Sequence, residues 1–231
     1  MSDVTVIGGA GHEGYGLALR WALAGKSITI GSRSPERAME AAQKIKHTAA
    51  GFGKTVTVDG QENAAAAAAA PVVVVSVPLA AQIATIKAIR EHLQPNCLLV
   101  DVTVPLATAI GGRASRMLGL PAGSAAEQLA EYAPAGVQVV SAFHFLSADL
   151  LAQAGPDGPI PIDCDVVACG GDAQAQEVIR DLAVAIEGVH YLHAGPLVAS
   201  RLVEAAATML IAMNVRHKVR HTGLRITGHH G

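Results

Sequence analysis

A glycine-spaced turn that directly follows an apolar run restricts the fold more than any other feature of this chain. Residues 4–7 predict a buried strand, after which Gly9, Gly11 and Gly14 fall in the spacing G-x-G-x-x-G, and residues 14–23 have helical periodicity. Between a strand and a helix, such glycines allow a tight turn, a close approach of the backbone to a pyrophosphate, and close packing of helix on strand. The free amides at the helix start would face the anion. The turn therefore predicts phosphate binding.

The segment after the second predicted strand, residues 27–31, indicates which dinucleotide is bound. A protein that binds the unphosphorylated dinucleotide would place a carboxylate on the ribose hydroxyls here. This chain has Ser32, Arg33 and Arg37 instead. Guanidinium groups hold a phosphate through paired hydrogen bonds, whereas an acid would repel it, so we predict NADP rather than NAD. In another interpretation, compatible with the first, Ser34 caps the next helix and the arginines are solvated surface charges.

Length and composition limit the class of protein. The 231 residues, 51% of them hydrophobic, suit one large domain or two modest ones. We expect no membrane contact, because no uninterrupted apolar span reaches about 18 residues and the start lacks a leader pattern. The net charge of −2 gives no basic field for nucleic acid. Three cysteines in strand-like runs suit reduced, buried thiols, and their spacing predicts no metal site. We expect a cytoplasmic protein with small-molecule partners.

Strands and helices alternate along the chain. Residues 72–77 form a continuous branched run, typical of a strand buried on both faces of a parallel sheet. The alternation predicts an α/β fold, a Rossmann-type doubly wound parallel sheet with a smaller C-terminal α/β part that ends in a long helix from residue 197. We expect a dinucleotide-binding domain over residues 1–142, a smaller domain completing the cleft over residues 143–231, and a flexible surface loop at residues 155–159. The other predicted strands are residues 56–59, 98–102, 137–142, 166–168 and 189–192. The other predicted helices are residues 35 onward, 64–70 capped by Asn63, 82–90, 124–132 with a Ser124–Glu127 capping box, and 173–185.

Ligands of an open α/β sheet bind outside the carboxyl ends of its strands. The segments that follow three predicted strands are residues 77–79, 103–106 and 142–146, and all three are apolar with proline or aromatic side chains. Such segments predict a dry cavity around a nicotinamide ring and a second flat molecule.

Several stretches resemble one family, the NADPH-dependent reductases of the deazaflavin coenzyme F420. They are the turn at residues 8–14, the segments 31–37 and 141–144, and above all residues 195–204, which read Gly-Pro-Leu-Val-Ala-Ser-Arg-Leu-Val-Glu. Residues 214–228 are similar to bacterial members, so the resemblance covers nearly the whole chain. The run 195–204 is its specific part, because the glycine spacing alone occurs in many dehydrogenases.

The resemblance implies reversible hydride transfer between the nicotinamide C4 and the deazaflavin C5, with both rings stacked in one pocket of a homodimer. The implied NADP contacts are Ala10, Gly11 and His12 in the turn, Ser32, Arg33 and Arg37 at the ribose phosphate, and Val77, Pro78, Leu146 and Ala148 at the nicotinamide. The implied deazaflavin wall includes Val104 and Pro105. His144 is the candidate catalytic residue close to the rings, although a histidine at a strand end is as often a structural group.

Three positions depart from the family pattern. Leu79 stands where members often have tryptophan, and Ala205 and Ala207 stand where hydroxyl side chains are expected. They favour an alternative, an NADPH-dependent reductase of a flavin or of a small imine or carbonyl compound. A third hypothesis is a non-catalytic module that binds NADPH, since the sequence has no evident nucleophile, acid pair or metal cluster. Direct hydride transfer needs none of these, because it requires only two carbons held at about 3 to 3.5 Å.

The C-terminal region contains further polar candidates. Arg201 and Glu204 have i, i+3 spacing and predict an ordinary ion pair on the last helix. His217 and His221 have i, i+4 spacing that could hold zinc, but the cations around them favour a solvated basic face that receives the anionic tail of the deazaflavin. Residues 229–230 are expected to be disordered. The neighbouring cations are Arg216, Lys218 and Arg220.

Overall fold

Ten strands and eight α-helices build the protein in a computed structural model, which describes residues 1–155 and 158–228. The strands are β1 (Val4–Ile7), β2 (Ile28–Ser32), β3 (Val58–Glu62), β4 (Val72–Val75), β5 (Leu98–Asp101), β6 (Gln138–Ser141), β7 (Ala154–Gly155), β8 (Gly158–Pro159), β9 (Cys164–Gly170) and β10 (Val189–His193). The helices are α1 (His12–Leu23), α2 (Pro35–Gly51), α3 (Asn63–Ala67), α4 (Leu79–Ile89), α5 (Ala125–Tyr132), α6 (Ala148–Ala152), α7 (Ala173–Val184) and α8 (Ser200–His217). Short 3₁₀ turns cover Arg90–His92, Ala107–Ile110 and Leu197–Ala199.

Eight of these strands form one sheet, in the order β10-β9-β6-β5-β4-β1-β2-β3. The pairs from β3 to β6 are all parallel, and this part of the order is that of the doubly wound dinucleotide-binding fold. β9 pairs antiparallel with β6, and β10 pairs parallel with β9. The predicted fold class is therefore confirmed, including the long helix at the end.

The core lies on both faces of this sheet because side chains alternate along a strand. In β4, Val72 and Val74 pack into one apolar cluster, while Val73 and Val75 pack into the other. All four are buried, as the continuous branched run predicts for a central parallel strand. The three cysteines are free and buried, as expected.

Local hydrogen bonds explain where three helices begin. The N–H of Arg37 donates to Oγ of Ser34 at 3.3 Å, with Pro35 at the first position of α2, so the predicted cap is confirmed. The N–H of Glu127 donates to Oγ of Ser124 at 3.0 Å, which confirms the capping box of α5. The prediction for α3 was wrong in cap and length. Glu62 is its cap, and the helix ends at Ala67, because residues shortly before a proline leave the helical region.

The C-terminal part contributes β9 and β10 to the same sheet as the N-terminal part. The division at residue 142 therefore stays a prediction about folding units. Within the loop predicted at residues 155–159, β7 pairs with β8, and residues 156–157 lie outside the described part of the chain. Residues 229–230, predicted to be disordered, also lie outside it.

The segment Leu197–His217 is long and apolar enough to span a membrane by length and composition, with a mean hydropathy of 1.4. The sequence analysis expected no such segment. Core helices of globular domains pass the same test, and this helix packs against α5 and β9 and buries Val203, Ala207 and Leu210. Its opposite side remains exposed, with Leu202 at 75% relative accessibility.

Candidate active site

The turn between β1 and α1 has the geometry that its glycines predicted. Gly11 precedes α1 in extended conformation, and no described side chain caps the helix, so the first amides are free to meet an anion. A Cβ atom at Gly14 would lie 2.8 Å from the carbonyl oxygen of Gly8 and 3.0 Å from Cα of Gly9. Gly14 and the buried Gly9 therefore serve the packing of the turn, whereas Gly11 faces the open space.

A cavity of about 500 Å³ opens beside this turn, at the ends of β2 and β4. Arg33 and Arg37 bring two guanidinium groups to it, and among the described residues neither group pairs with a carboxylate. Oγ of Ser32 accepts the N–H of Ser34 at 3.3 Å, which fixes the strand end. The predicted residues that line this cavity are Ala10, Gly11, Ser32, Arg33, Arg37, Val77 and Pro78. The cavity thus has two cationic groups of the kind that can bind a phosphate.

Asn63 gives an independent sign that this cavity takes a polar ligand. Its side chain lines the cavity at the end of β3, and its buried Oδ1 has no hydrogen-bond partner. Buried polar atoms are nearly always paired, so a donor on a ligand, such as a nucleotide amine or ribose hydroxyl, would complete this site. The residues present therefore fit a dinucleotide.

A second cavity of about 430 Å³ adjoins the first, and both share Gly11, Ser76, Val77 and Pro78. Its walls come from the segments after β4, β5 and β6, the start of α6, and α8, as expected for the carboxyl edge of the sheet. The predicted residues that line it are Gly11, His12, Val77, Pro78, Val104, His144, Leu146 and Ala148. Pro105 is buried and lies outside the set of lining residues. The predicted nicotinamide and deazaflavin groups are thus brought to one apolar space.

Backbone geometry directs His144 into this second cavity. Phe143, the residue before it, has a positive φ of 69°, which is strained for a bulky side chain and is common at functional sites. Packing maintains this conformation, because the Phe143 ring is fully buried and meets Trp21 edge to face, with centroids 5.4 Å apart. Both ring nitrogens of His144 are buried and have no hydrogen-bond partner within residues 1–155 and 158–228. Burial lowers the pKa of His144 to about 4, with the Thr103 backbone opposing the shift. The imidazole is therefore neutral at pH 7.

Two buried carboxyl groups lie beside His144. One ligand atom each of Asp101, His144 and Glu204 lies within 4.8 Å of the other two, a spacing that a small cation or a water molecule could bridge. Burial raises the pKa of Asp101 to about 7 and that of Glu204 to about 8. We call these three residues the buried triad.

The predicted ion pair between Arg201 and Glu204 is wrong. Arg201 lies at the exposed side of α8 and donates to both oxygens of Glu127 at 2.7 Å. Glu204 points inward instead, and its two oxygens accept the N–H groups of Ala125 and Ala126, at the start of α5. The two side chains diverge because α8 lies against α5, so the buried helix start attracts the carboxylate.

The chain after α8 returns over the ring cavity. Arg220 and Thr222 line it, and Oγ1 of Thr222 donates to Oδ1 of Asn214 at 2.9 Å. The helix ends at His217 and Lys218 has a positive φ of 55°, so the helical i, i+4 spacing of His217 and His221 is not formed. The zinc interpretation therefore loses its basis, whereas Arg220 gives the cavity a cation.

The three departures from the family pattern have different surroundings. Leu79 and Ala207 line the ring cavity, so both affect the space available to a second ring. Ala205 is exposed on the other side of α8 and has no effect on that space.

The sequence analysis overlooked several polar residues of the site. Asp101 ends β5 and Thr103 follows it, and position at a strand's carboxyl end could have identified both. Glu13 lines the ring cavity and burial raises its pKa to about 8. Glu204 is an acid inside an apolar helix, a pattern that favours a buried role over a surface pair.

Comparisons with known proteins identify the family and the fold. A family described as "NADP oxidoreductase coenzyme F420-dependent" matches residues 3–105. The chain is 41% identical to an F420-dependent NADP reductase of Methanothermobacter thermautotrophicus, over 97% of this chain and 94% of that protein. It is also 41% identical to an F420-dependent NADP reductase of Methanocaldococcus jannaschii, over 97% of both chains. A crystal structure of a putative F420-dependent NADP reductase from Arthrobacter sp. FB24 covers 98% of this chain and 100% of its own, with a TM-score of 0.78 and 22% identity, and shows the same fold.

Proposed function

Because the chain belongs to the family of NADP oxidoreductases that depend on coenzyme F420, we propose that it transfers a hydride reversibly between NADP(H) and the deazaflavin coenzyme F420. One observation carries this proposal. A cavity with two arginines that pair with no carboxylate in the described part of the chain adjoins an apolar cavity at the carboxyl edge of one sheet, and the two share the Val77–Pro78 wall. One cavity suits a phosphorylated adenosine and the other suits two flat rings.

Each part of the two cavities has a proposed role. The pyrophosphate meets Ala10, Gly11 and His12, and the ribose phosphate meets Ser32, Arg33 and Arg37. The nicotinamide lies against Val77, Pro78, Leu146 and Ala148, and the deazaflavin against Val104 and His144, whereas the buried Pro105 lies outside the cavity lining. When bound, the two cofactors supply the hydride donor and the hydride acceptor. The chain's own contribution is to hold the rings in register, to exclude water with apolar walls, and to place one neutral imidazole beside them.

The finer features of this enzyme are also proposals. Residues 1–142 would bind NADP, and residues 143–231 would complete the cleft. Two copies would associate through the outer side of α8 and the turn before it, where Leu202, Met209 and Met213 of the helix and Val198 of the turn are 42% to 75% exposed. Exposed apolar side chains grouped in this way favour an interface. Free, buried cysteines support a reducing, cytoplasmic setting.

The test is a spectroscopic assay of purified protein with NADPH and oxidised coenzyme F420. We expect the F420 absorbance to disappear with NADPH and to return with NADP and the reduced coenzyme. Ala207→Phe would fill the ring cavity and should abolish transfer, whereas Ala84→Phe, at an exposed site on α4, should leave it unchanged. Absence of turnover in both directions would refute the proposal.

Leu79 and Ala207 give the alternative substrate class its support, because both enlarge or reshape the ring cavity. Equal turnover of a riboflavin-type acceptor, or of a small imine or carbonyl compound, would favour that alternative. Tight NADPH binding without transfer to any acceptor would favour the non-catalytic module.

A further inference from the structure

Three elements of the fold bring the buried triad together. Asp101 ends β5, His144 follows β6, and Glu204 lies in the first half of α8. Asp101 and Glu204 are fully buried, whereas His144 also lines the ring cavity. The triad therefore connects the protein interior with the space proposed for the two rings.

The hydrogen bonds of the triad are incomplete at its centre. Oδ1 of Asp101 accepts from Nε2 of Gln82 at 3.0 Å and from Oγ1 of Thr103 at 2.8 Å, while its buried Oδ2 has no partner. Neither ring nitrogen of His144 has a hydrogen-bond partner among the described residues. A buried polar atom without a partner costs about 1 to 3 kcal/mol. No nitrogen of His144 is within hydrogen-bond distance of either carboxyl group, so a bridging water molecule would satisfy these atoms.

The charges around the triad require at least one proton. The nearby cation Arg201 is exposed and binds Glu127. The other groups around the triad are neutral or acidic. They are the amide of Gln82 from α4, the hydroxyl of Thr103, the two backbone N–H groups and Glu127 from α5, and Cys169 from β9. Burial and the charge of Glu204 raise the pKa of Cys169. Two carboxyl groups this close, buried and without a cation, cannot both be ionised.

A proton suits the triad better than a metal ion. Both oxygens of Glu204 already accept backbone N–H donors, at 2.9 and 3.2 Å. Only Asp101 Oδ2 and the imidazole of His144 then remain as ligands, fewer than the three protein ligands that even open catalytic zinc sites have. The start of α5 holds both oxygens of Glu204, and Oδ2 of Asp101 and the ring nitrogens of His144 are the triad atoms that a bridging water molecule could join.

We propose that Asp101, His144 and Glu204 together hold one exchangeable proton beside the ring cavity, and that His144 exchanges it with the redox reaction. This proposal rests on the proposed function, because its balanced equation is NADPH + F420 + H⁺ = NADP⁺ + F420H₂. The hydride breaks a C–H bond at one ring and forms one at the other, carrying both electrons, and the proton bonds to a ring nitrogen of the acceptor. The triad supplies that proton in this direction, takes it up in the reverse direction, and exchanges with solvent between turnovers. His144 is the catalytic member, and Asp101 and Glu204 are positioning residues that act through it.

The pKa values agree with this assignment. Burial lowers the pKa of His144 to about 4, so the stored proton at pH 7 belongs to the carboxyl pair, whose pKa values are raised to about 7 and about 8. Through a bridging water molecule, a neutral imidazole can accept a proton from Asp101 at one nitrogen and release one at the other.

Infrared spectroscopy of the free protein tests, without any cofactor, whether the triad holds a proton. We expect the carbonyl band of a protonated carboxyl group at neutral pH that titrates away at higher pH. Asp101→Asn should remove part of it and move the titration of Glu204 to lower pH, because a like charge is lost. Glu131→Gln, an exposed site on α5, should change neither, and Glu13→Gln should remove only the separate signal of Glu13. Lack of coupling between Asp101 and Glu204, or one equivalent of bound metal with no protonated band, would overturn the proposal.

Steady-state kinetics tests whether the triad supplies its proton to the redox reaction. In the wild type we expect kcat for F420 reduction to fall at alkaline pH and to decrease in D₂O. Asp101→Asn and Glu204→Gln should remove this pH dependence and lower kcat about 100-fold, the usual size of an acid–base contribution, with the Kd for NADPH unchanged. A folded Asp101→Asn variant with the wild-type pH profile and solvent isotope effect would refute the proposal while leaving the proposed function intact. A wild type without turnover would refute the proposed function, and the infrared titration would still decide whether the triad holds a proton.

Discussion

Replacement of Arg33 by alanine is the most direct test of cofactor choice. Arg33 and Arg37 line the cavity of about 500 Å³ and pair with no carboxylate among the described residues, so both are free to meet the ribose phosphate. A hydrogen bond to a charged group contributes about 1.5 to 3 kcal/mol. At about 1.4 kcal/mol per factor of ten, Arg33→Ala should weaken NADPH binding about 10- to 150-fold. NADH lacks the phosphate, so its binding should change by less than about twofold.

Calorimetric titration of both dinucleotides measures this difference. Arg33→Lys should give an intermediate loss, because lysine keeps the charge but not the planar fork. Arg90→Ala is a suitable control, since Arg90 is an exposed arginine near the end of α4, paired with Glu91, at the opposite edge of the sheet. The NADPH advantage should also shrink at high salt. An equal loss for NADPH and NADH in Arg33→Ala would refute the phosphate assignment.

Buried charges and exposed apolar surface give three more measurable outcomes. Arg20 is buried and donates to four backbone carbonyl groups of residues 150–160. Arg20→Met should therefore lower the unfolding free energy, measured by chemical denaturation, by about 3 kcal/mol. A change below about 1 kcal/mol would contradict this role of Arg20. The raised pKa values of Asp101 and Glu204 mean that the folded state binds more protons than the unfolded state, so their contribution to stability is lost as the pH rises through about 7 to 8. Asp101→Asn should therefore flatten the loss of unfolding free energy between about pH 5 and about pH 9, and an unchanged slope in urea denaturation would contradict the assignment. Leu202→Glu should convert dimers into monomers, as measured by light scattering, whereas Val184→Glu, at an exposed site on α7, should leave the dimer intact. If Leu202→Glu stays dimeric, this side of α8 is excluded as the interface.

Features set by short-range patterns were predictable from the sequence. The four valines of β4 are apolar on both faces, and only a central strand between two layers of helices buries both. The glycine turn and the Ser34 cap depend on residues within a few positions, so their geometry follows from local chemistry. The two cavities then follow from the rule that ligands bind at the carboxyl edge.

Features set by contacts between distant segments were not predictable in the same way. Arg201 satisfies a local rule for pairing with Glu204, yet it binds Glu127, which lies 74 positions away, because α8 packs on α5. The positive φ of Phe143 depends on burial against Trp21, which no pattern around residue 143 indicates. The antiparallel addition of β9 to the sheet likewise depends on its pairing with β6.

The sheet register explains why a proton site and a redox cavity share one wall. Asp101 pairs with Ser141 in the parallel β5–β6 ladder, so the residues after β6 emerge beside the end of β5. Oγ of Ser141 and Oγ of Ser200 lie 2.8 Å apart, and this hydrogen bond fixes α8 one turn before Glu204. With α8 so placed, Ala207 and Leu210 face the cavity while Leu202 and Met209 face outward. A change at Ser141 or Ser200 should therefore disturb both the buried triad and the cavity wall, although neither serine lines the cavity itself.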